Sequence, residues 1–171
     1  MELFMDECYF NQQLIKIVTN QDQLLFLGTP RILEKYLHSY DQQIQFSSQH
    51  CQHLKECKHI IIEGFLGGYS QEWLQHSQKI CQPHILSATD FQKQVWQEIT
   101  EISWGMQVSY SELAYRIGNS KAFRAVSRAV ALNPILIFTP CHRIIPKAGG
   151  MGQYSGGKEM KEYLLKKEAG M

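Results

Sequence analysis

Acidic residues are missing from the middle of this chain. Between Glu112 and Glu159 there is no Asp or Glu over 46 residues, while Arg116, Lys121, Arg124, Arg128, Arg143, Lys147 and Lys158 all fall in that gap. So long a gap argues against an ordinary solvated face of mixed charge and for a cationic footprint suited to phosphates. The two halves differ accordingly. Residues 1–87 carry 6 basic and 9 acidic side chains, a net of −3; residues 88–171 carry 11 and 7, a net of +4. Long apolar runs are also absent. None approaches the ~18 residues that a transmembrane helix needs, so no membrane association is expected. The start, Met1 to Glu7, is acidic and lacks the basic opening of a signal peptide. Cysteine is sparse: there are five, an odd number and scattered, which disfavours a disulfide framework and fits a reducing cytoplasm. The Gly-rich stretch from Gly149 to Gly157 has no following Lys-Ser/Thr, so it is not a P-loop. Its glycines let backbone amides approach a ligand closely.

What is present is concentrated at one point. Cys141 and His142 are the only cysteine and the only histidine after residue 84, and they are adjacent, within Pro140-Cys141-His142-Arg143-Ile144-Ile145. A soft nucleophile, a base that titrates near neutrality and a fixed cation share one Pro-led turn. A buried packing cysteine is the bland alternative, since free Cys is often a small core hydrophobe. That alternative leaves His142 and Arg143 unexplained. Cations and His neighbours lower thiol pKa values and make thiolates nucleophilic, so the pair is a candidate nucleophile and base.

At 171 residues and 44% apolar content, the chain suits one ordinary domain or two small ones with a real core. Leu14 to Val18 and Leu24 to Leu27 read as strands joined by a turn at Asn20 to Gln23. Thr29 caps a helix that begins at Pro30 and carries Ile32, Leu33, Tyr36, Leu37 and Tyr40 inward. A second helix is predicted over Gln52 to Phe65, with Leu54, Cys57, Ile61 and Phe65 inward, and Gly67-Gly68 ends it. Cys51, His53, Cys57 and His59 look like a ligand set, but on a helix positions 51 and 53 point about 200° apart. No metal is expected there, and no chemistry is written in this half.

Residues 83–88 read as a linker, which divides the chain into an N-terminal α/β domain, residues 1–85, and a C-terminal domain, residues 86–171. Beyond the linker, Thr89 and Gln92 form a capping box, followed by Phe91, Val95, Trp96, Ile99 and Ile102 on one face. Ser109 and Glu112 form a second box opening a short helix. Gly118-Asn119-Ser120 turns the chain, and the next helix is predicted from Lys121 to Leu132 with Phe123, Val126 and Val130 inward. Two short helices around a Gly turn form a helix-turn-helix pattern; the charge gap favours nucleic acid over an ordinary helical hairpin. Asn133-Pro134 stops the second helix. A strand over Ile135 to Phe138, the Cys turn, a strand at Ile144-Ile145, the Gly loop and a last helix from Lys158 to Glu168 follow. The fold class expected is α/β (α+β), with a winged-helix-like second half.

These residues together resemble the O6-alkylguanine-DNA alkyltransferases, collinearly over residues 89–168. The likeness rests on Phe91 to Trp96, on Ser109-Tyr110-Ser111-Glu112-Leu113-Ala114, on Arg124-Ala125-Val126, and on Asn133-Pro134 before Pro140-Cys141-His142-Arg143. It continues through Gly152-Gln153-Tyr154-Ser155-Gly156-Gly157 and Lys161 to Leu165 leading to Glu168. Ser103 stands where the family usually has Pro, and Thr139 where it has Val or Ile. The human-type zinc ligands have no counterpart Cys at Leu24, so no metal or other cofactor is implied. Cys141 separates the chain from the alkyltransferase-like proteins, which carry Trp there. Residues 1–88 match in general layout only.

The resemblance implies double-stranded DNA carrying O6-alkylguanine as partner, leaves O4-alkylthymine open as a second lesion, and implies a monomer. Cys141 would take the alkyl group by direct displacement, once per molecule. His142 would take the thiol proton through a water, with Glu168 supporting His142 and Asn133 bracing the turn. Arg124 would fill the space left by a flipped nucleotide, and Tyr110 would donate to guanine N3. The Ser155 amide would serve O6, Met151 and Tyr154 would wall the alkyl pocket, and Gly152 and Gly156 belong to the same loop. Lys121, Arg124, Arg128 and Arg143 would meet DNA, with the helix-turn-helix in the minor groove. The alternatives are a winged-helix regulator, which needs no Cys–His pair, and a cysteine hydrolase, which needs no basic face.

Overall fold

The first strand, β1 (Glu2–Phe10), turns through Asn11-Gln12 into β2 (Gln13–Thr19). Asn11 takes a positive φ of 44°, a conformation that Asn tolerates and that two-residue hairpins favour. β3 (Leu24–Gly28) continues antiparallel to β2, and β4 (Gln45–Phe46) pairs parallel to β1, giving the order β3-β2-β1-β4. A computed structural model describes residues 2–38, 45–47 and 51–170. The predicted strands at 14–18 and 24–27 are therefore present. β1 is not visible as a strand in a simple alternation, because Met5 to Cys8 interleave charge on both faces.

Helix α1 (Pro30–His38) starts at Pro30 and buries Ile32, Leu33 and Tyr36; Tyr40 lies outside the described residues. Helix α2 (Gln52–Glu63) buries Leu54, Cys57, Ile60 and Ile61 and ends in a π-turn over Gly64–Gly68, where Gly67 has φ 117°. Phe65 is half-buried in that turn, just beyond the helix. Helix α3 (Gln71–Cys81) has no counterpart among the predicted elements. Ser70 caps it by accepting from the Trp73 amide, and Trp73, Leu74, Ser77 and Cys81 face inward. Residues 82–89 lie in no helix or strand.

The second half begins with α4 (Asp90–Thr100), which carries the complete Thr89–Gln92 capping box. β5 (Val108–Ser109) leads into α5 (Tyr110–Arg116). Ser109 caps it by accepting from the Glu112 amide, but Glu112 turns its carboxylate to Arg116, at 2.7 Å, so only half of the predicted box forms. α6 (Phe123–Ala131) starts two residues later than expected. Lys121 therefore sits in the preceding turn, and Phe123 is 46% exposed rather than inward; the buried face is Val126, Ala129 and Val130. Trp96 joins α4 to α6 by donating to the Ala129 carbonyl at 2.9 Å.

Ile135 to Phe138 do not form the predicted strand. All four are at most 4% exposed, so a wholly apolar run satisfies its burial without alternation. Only Ile135 makes a bridge, to Leu27, and Ile137 takes φ 74°, an outlying conformation for a β-branched residue. The chain instead knots through Phe138 N to Leu136 O at 2.9 Å and Thr139 N to Ile135 O at 3.0 Å. A 3₁₀ turn over Cys141–Arg143 follows, then β6 (Ile144–Ile145), which pairs with β5 in parallel. The expected two-stranded element is thus present, but a parallel pair of two residues each is not a hairpin wing. α7 (Lys158–Glu168) closes the described chain.

One hydrophobic cluster runs through both halves, from Phe10, Ile15, Leu27, Ile61 and Trp73 to Val95, Leu113, Val126, Ile135 and Leu164. Leu27 also exchanges backbone hydrogen bonds with the second half, to Pro134 O at 2.9 Å and from Leu136 N at 2.8 Å. Urea unfolding should therefore give coincident transitions by circular dichroism and tryptophan fluorescence. Leu27→Ala should lower that single transition by about 2–5 kcal/mol. Two resolved transitions would mean that the halves unfold separately.

Candidate active site at the Cys141 turn

Asn133 assembles the turn that carries Cys141. Buried at the end of α6, it accepts from the Ile135 amide at 3.0 Å and donates through Nδ2 to the Thr139 carbonyl at 2.8 Å and to Cys141 Sγ at 2.9 Å. The knotted backbone places Cys141 with only 2% exposure. Burial pushes its thiol up to about 11, against the pull of the Asn133 hydrogen bond and of the Lys161 charge. The thiol is thus protonated at rest, contrary to the simple expectation that neighbouring cations make it a thiolate. The Tyr154 hydroxyl lies beside the sulfur, buried and without a hydrogen bond of good geometry.

His142 is fully buried. Its Nε2 lies 2.7 Å from Glu168 Oε1. A carboxylate cannot donate, so Nε2 carries the proton and Nδ1, buried with no protein partner, is left as the basic nitrogen. Burial lowers the pKa of His142, outweighing the opposing pull of Glu168. The ring is therefore neutral near pH 7.

Glu168 is the best-partnered side chain of the site. Oε1 accepts from His142 Nε2, from Arg143 Nη2 at 2.8 Å and from the Tyr69 hydroxyl at 2.7 Å; Oε2 accepts from Arg143 Nε at 2.9 Å and from the Gly105 amide at 3.2 Å. Burial alone would raise its pKa, but the hydrogen bonds from His142, Arg143 and Tyr69 hold it down at about 2, helped by the His142 charge once acid protonates the ring.

Arg143 is spent on this network. It is 4% exposed, its third donor goes to the Ile102 carbonyl at 2.6 Å, and its guanidinium lies 5.7 Å from the Trp104 ring. The expected DNA contact by Arg143 is therefore corrected: the cation holds Glu168. The Lys161 ammonium is likewise buried, donating to the Ile144 carbonyl at 2.7 Å.

A cavity of about 290 Å³ opens over Cys141. Tyr110, Gln153, Tyr154 and Ser155 line it from the second half, with Ser127 and Val130 of α6. The Ser155 hydroxyl donates to the Ala131 carbonyl at 3.0 Å and so pins the loop to the end of α6. Gly152 has φ 65°, and a Cβ at Gly156 would lie 2.6 Å from Met160 Sδ, so both require glycine. Met151 is elsewhere. It lines a separate cavity with Gln107, Ile145 and Leu165, and the expectation that it walls the alkyl pocket is corrected: positive φ at Gly149 and Gly150 just before Met151, and at Gly152 just after it, turns the loop so that Met151 and Tyr154 face different cavities. Arg124 and Arg128 are exposed on α6, with the Arg124 guanidinium 5.7 Å from the Phe123 ring centre, and Lys121 is exposed just before them.

Five residues of the first half reach the site unannounced. Thr29, Arg31, Ile32 and Lys35, at the start of α1, line the same cavity, and Tyr69 is bonded to Glu168. Nothing in their local sequence distinguishes them. The Cys51, His53, Cys57 and His59 set does not converge; Cys57 Sγ lies 3.5 Å from His53 Nε2, while Cys51 points to the Asn20 carbonyl at 3.7 Å. Among the described residues no helix is long and apolar enough to cross a membrane.

Residues 90–170 match the family model described as the 6-O-methylguanine DNA methyltransferase, DNA binding domain. Among curated proteins, the methylated-DNA--protein-cysteine methyltransferase of Methanosarcina barkeri is 48% identical over 80 residues, 47% of this chain and 51% of that protein. The inducible one of Bacillus subtilis is 46% identical over 83 residues, 48% and 46% respectively. The chain spans about half the length of the curated relatives it matches. Over its whole length the fold is that of the Mycobacterium tuberculosis OGT solved in complex with DNA, with a TM-score of 0.67, 24% identity and coverage of 99% of this chain and 94% of that one. It is also that of the O6-methylguanine-DNA methyltransferase from Pyrococcus kodakaraensis, with a TM-score of 0.60, 22% identity and coverage of 97% and 98%. These likenesses establish the mixed α/β fold.

Acid should weaken the fold through two groups of the same sign. His142 has a lowered pKa, so its contribution is lost as pH falls below the ordinary 6.5. Glu168 is depressed from 4.5 to about 2, so its contribution is present above 4.5 and lost as pH falls toward 2. Urea midpoints from pH 7 to 3 should drop steeply for the parent chain. Glu168→Gln should be less stable at pH 7 but flatter in acid; parallel curves would contradict this assignment.

Proposed function

We propose that this protein repairs O6-alkylguanine in double-stranded DNA by transferring the alkyl group to Cys141, once per molecule. The observation that supports this most strongly is the buried Asn133–Cys141–His142–Glu168 arrangement under a cavity flanked by the basic helix α6, in a domain that matches that family model. Burial keeps the resting thiol protonated, so a base is needed at the moment of reaction. His142 Nδ1 takes the thiol proton through a water, and Glu168 steadies the imidazolium that forms, which is triad logic run on a thiol. The S–C bond forms as the C–O6 bond breaks, and a proton takes the place of the alkyl group on the guanine. Tyr110 donates to guanine N3 and the Ser155 amide to O6 as negative charge develops. The thioether is stable to water, and no residue nearby is suited to cleaving it, so the protein is consumed.

DNA would meet the exposed cations Lys121, Arg124 and Arg128, with Arg31 and Lys35 of α1 at the cavity rim. Arg124 is the side chain that fills the stack when the damaged nucleotide flips out. In this reading residues 86–171 carry the reacting groups and most of the DNA face, and residues 1–85 complete the cavity rim and the Glu168 network. The protein acts as a monomer in the cytoplasm; its five cysteines are free, which suits a reducing compartment.

Mixing the protein with a duplex containing O6-methylguanine should add one methylene mass per chain, on the Cys141 peptide, with a burst and no turnover. Cys141→Ser should abolish the gain while leaving duplex binding within about twofold, since the hydroxyl is similar in size but far less acidic. Methyl recovered on Cys8, Cys51, Cys57 or Cys81, or sustained turnover, would overturn the proposal. Affinity should also fall with salt. If three to five of the exposed cations meet phosphates, the log–log slope should be about −3 to −4.5. Arg128→Ala should reduce it by about one unit on two unrelated duplexes alike. A flat salt response would argue against DNA as partner.

A further inference from the structure

Tyr69 belongs to the first half of the chain, yet its hydroxyl ends in the acid–base network of the second. It is 3% exposed, and it donates to Glu168 Oε1 at 2.7 Å across 99 residues of sequence. That oxygen is also 2.7 Å from His142 Nε2, and the Tyr69 oxygen is itself 3.5 Å from Nε2. The three polar atoms form a closed triangle. A phenol has one proton, and here it goes to the carboxylate, so what Tyr69 turns toward His142 is a lone pair.

The surroundings hold the hydroxyl in place. The ring lies 5.1 Å from Trp104, 5.6 Å from Trp73 and 6.5 Å from Tyr163, centre to centre. The π-turn that precedes Tyr69 is pinned by Tyr163, whose hydroxyl donates to the Gly64 carbonyl at 2.7 Å. Gly64 is required there, because a Cβ would lie 2.5 Å from the Trp73 ring. Burial, then the charge and hydrogen bond of Glu168, raise the pKa of the phenol far above its ordinary value. It therefore remains a donor throughout the working pH range.

We propose that Tyr69 is a positioning residue for His142: it shares the Glu168 oxygen that His142 uses and so sets how tightly that carboxylate holds the imidazole N–H. A carboxylate oxygen that already accepts from a phenol has less charge to offer a second donor. The imidazolium is then less stabilised, and His142 stays neutral and ready to accept a proton at Nδ1. The lone pair facing Nε2–H favours the same tautomer. The other titratable or charged groups around His142 are Glu168 and Lys161 of α7, Arg143 and Cys141 of the 3₁₀ turn, and Tyr154 of the Gly-rich loop. Tyr69 is the one contributed from the first half, which gives that half a part in the chemistry. The kinetic consequence rests on the alkyl-transfer reading; the effect on His142 does not.

The test is ¹⁵N NMR of the His142 ring in the full chain, assigned by comparison with His142→Gln, for the parent, for Tyr69→Phe, and for 3-fluorotyrosine at position 69. Phenylalanine keeps the ring packing and removes the donor; fluorotyrosine is a stronger donor of nearly the same size. His142 should titrate about half to one pH unit higher in Tyr69→Phe and lower with fluorotyrosine, with the Nε2–H tautomer less dominant in the former. The acid limb of alkyl transfer from free O6-benzylguanine should move by the same amounts. Identical His142 shifts in all three proteins, with only the melting temperature lowered, would reduce Tyr69 to a packing residue and overturn the proposal. If the parent chain transfers no alkyl group, the functional reading fails, and the His142 titration still decides the role of Tyr69.

Discussion

A single buried carboxylate holds this site together. Taking Glu168 out of water costs several kcal/mol unless its charge is matched. The matching donors come from separate parts of the chain: Tyr69 after the π-turn, Gly105 before β5, and His142 and Arg143 in the 3₁₀ turn. Each is placed there by its own local structure. Gly105 has φ 74°, and a Cβ there would crowd the Glu168 carbonyl at 3.1 Å. Arg143 is fixed at its far end by the Ile102 carbonyl. The negative charge is therefore a meeting point on which α7, the nucleophile turn and the first half of the chain converge.

The nucleophile depends on that charge at one remove. Glu168 fixes which nitrogen of His142 bears the proton, and Asn133 fixes the backbone that carries Cys141. The knot at Ile135 to Thr139, with Ile137 in a strained conformation, lets Asn133 reach the Thr139 carbonyl and the sulfur together. Local strain of this kind persists where the surroundings over-determine it. Burial then keeps the thiol protonated until a base acts. A resting site of this design is poorly reactive toward stray electrophiles and oxidants. In the proposed reaction it becomes competent when a substrate fills the cavity over Cys141.

Much of the second half was legible because its signals are local. The Thr89–Gln92 capping box, the Gly118 turn and Asn133-Pro134 each act within a few residues, and all three appear where the sequence puts them. His142 and Glu168 were paired by resemblance, and they meet at 2.7 Å. The failures have equally physical causes. Arg143 and Arg124 are alike in sequence, but one is buried against a carboxylate and the other exposed, a difference set by the tertiary fold. Ile135 to Phe138 read as a strand because a buried apolar run has no period to betray its conformation. Met151 lies within the loop motif, yet three glycines with positive φ direct it away from the cavity. Tyr69, Arg31 and Lys35 were invisible because their partners lie in distant sequence, and no spacing rule connects residue 69 to residue 168.

In the proposed reaction the neutral, buried His142 ionises Cys141. The most direct measurement is the rate of alkyl transfer from free O6-benzylguanine against pH, in the parent chain and in His142→Gln. The free base removes DNA binding and nucleotide flipping from the comparison. The account predicts that His142→Gln is slower by about a hundredfold or more at neutral pH. Its rate should then climb steadily with pH toward the resting thiol value of about 11, because the thiolate forms only by simple ionisation. A variant that reacts within a few-fold of the parent, with the same pH profile, would contradict the account.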